Sequence, residues 1–83
     1  MRLDKYLKVS RLIKRRTVAN EACDGERVNV NGRTAKASYE VKPGDIIEVR
    51  FGQRTLKIEV LSVSEHETKA DAPAMYREIG IIQ

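Results

Sequence analysis

The chain has 83 residues and a formal net charge of +4, with 16 Lys and Arg side chains against 12 Asp and Glu side chains. This length is sufficient for one small domain with a single core. One cysteine and one histidine, Cys23 and His66, cannot supply an internal disulfide or a zinc site of the usual ligand count, so we expect no cofactor. Without an apolar run of about 18 residues, the sequence predicts a cytoplasmic protein and no membrane partner.

Positive charge is concentrated in the first half of the chain. Residues 1 to 36 hold ten basic and four acidic side chains, a net +6, whereas residues 37 to 83 hold six and eight, a net −2. Between Arg2 and Thr17, seven basic side chains are interleaved with apolar residues and oppose one acid, Asp4. A patch of this kind attracts polyanions, with nucleic acid ahead of acidic membrane surfaces.

The first predicted element is a short amphipathic helix. Its apolar arc holds Leu3, Tyr6 and Leu7, and its basic arc holds Arg2, Lys5 and Lys8. Two interpretations of Asp4 remain open at this point. Its carboxylate either interacts with the dipole at the N-terminus of the helix, or forms an ion pair that positions a neighbouring basic side chain for RNA.

A second helix is predicted from helical spacing of the apolar residues Val18, Ala19, Ala22 and Cys23, and it ends at Gly25. The helix starts at Lys14 or uses Thr17 as its N-cap. In both cases Lys14, Arg15 and Arg16 lie at or just before its N-terminus, where each cation opposes the helix dipole by about 0.3–1 kcal/mol. This cost indicates a bound anion, and it predicts a phosphate-binding corner. Cys23 is expected to pack in the core.

From Arg27 the apolar period changes to two, which predicts an antiparallel sheet. Asn31-Gly32 predicts a tight hairpin, and Pro43-Gly44-Asp45 predicts a type II turn before a strand that reaches Phe51. A further strand follows from Leu56, with a bulge expected at Val60-Leu61.

The last segment is predicted to contain a polar connector, Glu65 to Asp71, and a short helix, Ala74 to Ile79, preceded by Pro73 and closed by Gly80. The predicted fold class is therefore α+β, with two N-terminal helices packed on a small antiparallel β-sheet and a short C-terminal helix. Residues 1–64 would form the RNA-binding domain, and residues 65–83 the connector, helix and tail packed on it.

Four segments resemble the RNA-binding domain named after small-subunit ribosomal protein four. They are Arg2 to Leu7, Lys14 to Ala19, Gly25 to Gly32 and Val41 to Asp45, in the order and spacing of that family. The resemblance covers about residues 2 to 51, and it implies that the two helices and the hairpin form a basic surface that binds structured RNA. Many members carry this domain beside a catalytic one, but nothing long enough to be catalytic follows here, so we expect a stand-alone RNA binder without enzymatic activity.

Nearly the full length is similar to two stand-alone types of this family, the RqcP type of ribosome quality control factor and the fifteen-kilodalton heat-shock type. The heat-shock type continues into a long basic extension and this chain stops at Gln83, so the RqcP type is the better match. That match implies a monomer off the ribosome that binds large-subunit ribosomal RNA and peptidyl-tRNA, while its partner RqcH adds alanine residues to the stalled nascent chain.

By motif position, the resemblance assigns the leading RNA contacts to Arg2, Lys5, Arg11 and Arg16, with support from Lys8, Lys14, Arg15 and Lys36. Asn20 departs from the family, because close relatives usually carry Lys or Arg there, and we expect the basic surface to reach one contact less along the second helix.

Three alternatives remain. The chain could act as a heat-shock-type recycling factor of the large subunit, or as a detached accessory domain of an RNA-modifying enzyme. It could also be a protein-interaction module that uses the sheet and the segment Ile79 to Ile82, with an incidental basic face.

Overall fold

The computed structural model describes residues 1–63 and 75–82. Its elements are α1 (Leu3–Val9), α2 (Arg16–Asp24), β1 (Val28–Val30), β2 (Arg33–Thr34), β3 (Ile46–Phe51), β4 (Arg54–Val60) and β5 (Tyr76–Ile82). The strands form one antiparallel sheet in the order β2-β1-β3-β4-β5. The predicted α+β class, with two helices before the sheet, is confirmed. The polar connector, His66, Pro73 and the expected boundary after residue 64 lie outside the described residues.

The two turns predicted from the sequence are present. Asn31 and Gly32 have φ values of 53° and 83°, and Val30 pairs with Arg33, which is the geometry of a type I′ hairpin. Gly44 has a φ of 94°, and the Asp45 amide donates a hydrogen bond to the Lys42 carbonyl at 3.1 Å, as a type II turn requires.

The core lies between the helices and one face of the sheet. Its largest fully buried side chains include Leu3, Tyr6 and Leu7 from α1, which confirms the apolar arc. Cys23 is buried among them, and burial, with a smaller contribution from the carboxylates of Asp4 and Asp24, raises the pKa of its thiol to about 12. Cys23 is therefore a core residue, as expected. Within the described residues, no helix has the length and apolar character needed to cross a membrane.

The predicted C-terminal helix is wrong, because the described part of that segment is strand β5. Tyr76 pairs with Val60 at one end of β4, and Ile82 pairs with Thr55 at the other. Gly80 lies inside this strand instead of ending a helix. The edge of β4 would otherwise be unpaired, and the β-branched residues beside Gly80 favour a strand over a helix.

The bulge also differs from the prediction. Val60 pairs regularly with Tyr76, whereas the register shifts where Lys57 and Ile58 pair with Gly80 and Glu78. Ile79 is thus the extra residue, and the bulge lies on the edge strand, where bulges limit pairing with other chains. The buried Tyr6 hydroxyl joins α1 to the start of β5, since it donates to the Met75 carbonyl at 2.6 Å.

Candidate nucleic-acid interface

The N-terminus of α1 is fixed by the loop that follows the hairpin. The Leu3 amide donates to the Tyr39 carbonyl at 2.8 Å, and the Asp4 amide donates to the Ala37 carbonyl at 3.2 Å. These are two of the amides that a helix start leaves without an intrahelical acceptor. The loop therefore holds the first turn of α1 in place, and with it the side chain of Asp4.

Asp4 is the centre of the basic surface, although it is almost fully buried, with 2% of its surface exposed. Its carboxylate accepts hydrogen bonds from Arg2 Nε at 3.2 Å, from Asn20 Nδ2 at 3.3 Å and from the Lys5 amide at 2.8 Å. Arg16 Nε lies 3.5 Å from the same carboxylate. Of the two interpretations of Asp4, the ion pair with neighbouring basic side chains is therefore observed, even though Asp4 is also in the first turn of α1.

The surroundings of Asp4 keep it ionised. Burial raises the pKa of its carboxyl, but the hydrogen bonds from Asn20, Arg2 and the Lys5 amide, together with the charge of Arg16, lower it further. The net effect is a pKa below the usual value of 3.8. At neutral pH the carboxylate is charged and attracts two guanidinium groups, one from each side.

The two arginines remain available to solvent. The side chains of Arg2 and Arg16 are each 52% exposed while their Nε atoms face Asp4. A guanidinium group held in this way has fewer orientations to lose when it binds an anion, and it keeps further N–H donors for that anion. Arg2, Arg16 and Asp4 are distant in sequence by up to fourteen positions, and the packing of α1 against α2 brings them together.

The N-terminus of α2 differs in detail from the prediction. Arg15 is the N-cap and Arg16 the first helical residue, so neither a start at Lys14 nor a cap by Thr17 is correct. No side chain caps this end and no acid lies in its first turn, so Arg15 and Arg16 raise the positive potential there. The predicted cluster of cations at the helix N-terminus is confirmed. Its electrostatic cost is reduced by Asp4, which comes from the other helix.

Asn20 is part of this arrangement and does not simply replace a basic contact. It lies one turn after Arg16 on α2 and donates to the Asp4 carboxylate. The prediction treated Asn20 only as a missing charge. In the structure it is a neutral hydrogen-bond donor that helps to hold Asp4. Such a contact between two helices cannot be detected from the residue spacing within either helix.

The other candidate residues come from α1, from the segment between the two helices and from the loop after the hairpin. Five are exposed and Lys5 is partly buried; the exposed ones are Lys8, Arg11, Lys14, Arg15 and Lys36. Lys36 lines a groove of about 630 Å³ beside the hairpin together with Arg33, a cation that the sequence analysis did not select. Lys14 lines a mainly apolar groove, which lies on a different side of α2 from the side that contacts Asp4. The structure thus gathers Arg2 and Arg16 closely, and it separates Lys14 from them.

Arg11 has an unusual backbone. Its φ is 67°, in the left-handed region that costs a residue with a side chain about 1–2 kcal/mol. Arg11 occupies the turn between the helices, where glycine would relieve this cost. Arg11 directly follows the C-cap of α1, where helices commonly end with a residue in this region, and its cationic side chain is exposed.

Fold and surface together define a small α+β domain that presents a basic, anion-directed face on two helices. A family model described as the S4 domain matches residues 1–47. The chain belongs to the S4 domain family, and the resemblance expected from its motifs is confirmed.

Two relatives are similar over most of their length, and both are named RQC P-site tRNA stabilizing factor. The one from Bacillus subtilis (strain 168) is 54% identical over 92% of this chain and 88% of its own. The one from Streptococcus pneumoniae is 53% identical over 96% of this chain and 91% of its own. Among solved structures, the trimeric Heat Shock Protein 15 of Vibrio cholerae superposes with a TM-score of 0.85 at 34% identity, covering 94% of this chain and 80% of that one.

The ionised Asp4 predicts an acid-dependent loss of stability. We expect Asp4→Asn to lower the free energy of unfolding at pH 7 by about 1–3 kcal/mol, because a buried charged hydrogen-bond acceptor is lost. Since the pKa is depressed in the folded state, this contribution is present above pH 3.8 and disappears as the pH falls through the folded value. Urea unfolding at steps from pH 7 to pH 2.5 measures the difference. Glu78→Gln, at an exposed carboxylate on β5, is the control, and an Asp4→Asn difference that persists at low pH contradicts the assignment.

Because Arg11 has a positive φ, we expect its replacement by glycine to affect tRNA affinity more than the stability of the fold. We expect Arg11→Gly to change the free energy of unfolding by less than about 1 kcal/mol, because relief of the positive φ offsets the flexibility of glycine. Affinity for tRNA should fall, with a salt slope smaller by about one contact. Glu26→Gly is the matched control, since Glu26 also has a positive φ, of 64°, but carries the opposite charge. Equal losses of tRNA affinity in both variants would refute a role for the Arg11 side chain.

Proposed function

We propose that the chain is a ribosome quality control factor that binds the large ribosomal subunit and peptidyl-tRNA on stalled complexes. The observation that carries this proposal is the pair Arg2 and Arg16, whose Nε atoms lie 3.2 and 3.5 Å from the buried Asp4 carboxylate. Two fixed guanidinium groups beside an uncapped helix N-terminus form a surface suited to phosphate groups of structured RNA. The name shared by the two relatives supports the quality control role, and a role on ribosomes implies a cytoplasmic location.

The proposed RNA contacts are those expected from the motifs. Arg2 and Arg16 would bind first, since they are pre-positioned, and six further residues would extend the surface: Lys5, Lys8, Arg11, Lys14, Arg15 and Lys36. Binding of this kind neutralises phosphates and orients the RNA, and it requires no reaction by the protein. The factor would hold tRNA in the P site while RqcH adds alanine residues to the nascent chain.

Sedimentation of a tagged chain from cells through sucrose gradients tests the proposal. We expect the wild type to migrate with large subunits, with tRNA and RqcH in the same fraction, and Arg16→Ala to remain near the top. Arg54→Ala removes an exposed cation at the turn between β3 and β4 and serves as the control. Migration of the wild type at the top, or of Arg16→Ala with large subunits, argues against this function and favours a protein-interaction module.

A heat-shock-type recycling factor is the second candidate, because the Vibrio cholerae Heat Shock Protein 15 shares the fold closely. The two candidates differ in their dependence on RqcH. In cells that lack this chain, we expect alanine tails on stalled nascent chains to disappear and to return with the wild type but not with Arg16→Ala. Unchanged alanine tails, with a delayed release of large subunits, would support the recycling factor instead.

The phosphate contacts also predict a strong salt dependence. If about five cations meet phosphates, log K should fall with log salt concentration with a slope of about −3.5 to −4.5, a loss on the order of a hundredfold between 50 and 200 mM. Filter binding of the wild type to purified tRNA over this range measures the slope. A slope near −1 would mean that few phosphates are neutralised and would contradict the proposed surface.

A further inference from the structure

A second groove, of about 470 Å³, lies between α2 and the end of β3. Its apolar lining consists of Leu12, Ile13, Val18, Ala22, Val49 and Phe51. Val18 is 47% exposed and Phe51 42% exposed, so two large apolar side chains face solvent in one concave surface. Single exposed apolar residues are ordinary, but these two line one groove, whose floor is formed by the buried side chains of Ile13, Ala22 and Val49.

Strand register places further apolar residues on the same face of the sheet as Val49. Val49 pairs with Leu56, and Leu56 pairs with Ile81, so the three residues are neighbours across β3, β4 and β5. Paired residues in adjacent strands lie on the same face of a sheet. Ile81 is 50% exposed and Leu56 is partly buried. Val49 itself is 1% exposed and belongs to the core, so this row of apolar residues reaches solvent only toward the edge of the sheet.

Cations border this groove. The charged residues that line the groove are Lys14, Arg27 and Arg50, and no acid is among the residues of its lining. Arg27 and Arg50 also line a neighbouring groove, which contains Glu26 and Glu48. None of these three cations forms a salt bridge with another residue in the described part of the chain. A partner that fills the groove therefore gains from apolar side chains at its centre and from carboxylates at its border.

The groove is separate from the surface around Asp4. Val18 and Asn20 are two residues apart on α2, so their side chains are directed about 160° apart around the helix. Asn20 contacts Asp4, whereas Val18 lines the groove. Two opposite sides of the same helix thus serve two different surfaces, which share Lys14 among the residues proposed for each.

We propose that this groove binds an acidic amphipathic segment of a partner protein, with apolar side chains against Val18 and Phe51 and with Asp or Glu side chains beside Lys14, Arg27 and Arg50. RNA fits less well, because the apolar lining other than Phe51 is aliphatic and provides no surface for base stacking. An anionic membrane also fits less well, since the apolar residues line a concavity and do not protrude.

Selection from a library of 16-residue peptides displayed on phage, against the immobilised full chain, tests this proposal. We expect the enriched peptides to carry apolar residues three or four positions apart together with several Asp or Glu residues. Amide chemical shifts on addition of the best synthetic peptide should change at Val18, Phe51 and Arg50. By fluorescence anisotropy, Phe51→Ser and Arg50→Glu should each weaken binding of that peptide by about tenfold or more.

Leu61→Ser is the matched control, because Leu61 is 48% exposed but does not line the groove. It should leave peptide affinity unchanged, and the two variants that keep the net charge, Phe51→Ser and Leu61→Ser, should keep the tRNA affinity of the wild type within about twofold. The proposal is overturned if no peptide is enriched, if enriched peptides lack acidic residues or bind elsewhere, or if Leu61→Ser weakens binding as much as Phe51→Ser. It is equally overturned if the same shifts at Val18 and Phe51 appear without peptide, on addition of tRNA or of anionic vesicles, or on self-association of the chain at higher concentration.

Discussion

The buried carboxylate of Asp4 is the interaction on which the arrangement of this domain depends. A charge with 2% exposure is tolerated only where donors surround it, and here they come from both helices: Arg2 and the Lys5 amide from the first, Arg16 and Asn20 from the second. The same contacts that satisfy Asp4 fix the positions of two exposed guanidinium groups. Stability and surface charge therefore share one set of contacts.

This constraint explains why the loop after the hairpin belongs to the candidate site although it carries few of its charges. Its carbonyl groups at Ala37 and Tyr39 accept the first amides of α1, and the Ala37 amide in turn donates to Asp24 at the end of α2, at 3.4 Å. The loop thus connects the start of one helix with the end of the other. Binding surfaces built on elements held in this way keep their geometry without a ligand.

Local patterns predicted much of the fold and part of the site. The apolar arc of α1, the end of α2 at Gly25 and the Asn31-Gly32 turn each depend on residues close in sequence, and each is present. Strand β5 could not be predicted in the same way, because its conformation depends on the edge of β4. Its short apolar sequence fits either element when it is considered alone.

The site shows the same distinction. The sequence of the N-terminal half showed that the site is basic, but it did not show which side chains come together in space. Lys14 is next to Arg15 and Arg16 in sequence, yet it precedes the N-cap of α2 and lines the apolar groove. Asn20 and Asp4 lie on different helices, so their contact requires the packing angle between α1 and α2. Sequence spacing contains no direct information on that angle.

The most direct test of the central claim is the affinity of Asp4→Asn for tRNA, compared with Glu21→Gln. Both variants raise the net charge by one, and Glu21 is an exposed residue of the same shallow groove as Asp4 and Arg16. If Asp4 positions the arginines, Asp4→Asn binds tRNA more weakly than the wild type despite its higher charge, while Glu21→Gln binds as tightly or more tightly. If Asp4→Asn binds at least as tightly as Glu21→Gln, net charge alone governs binding, and the positioning role of Asp4 is contradicted.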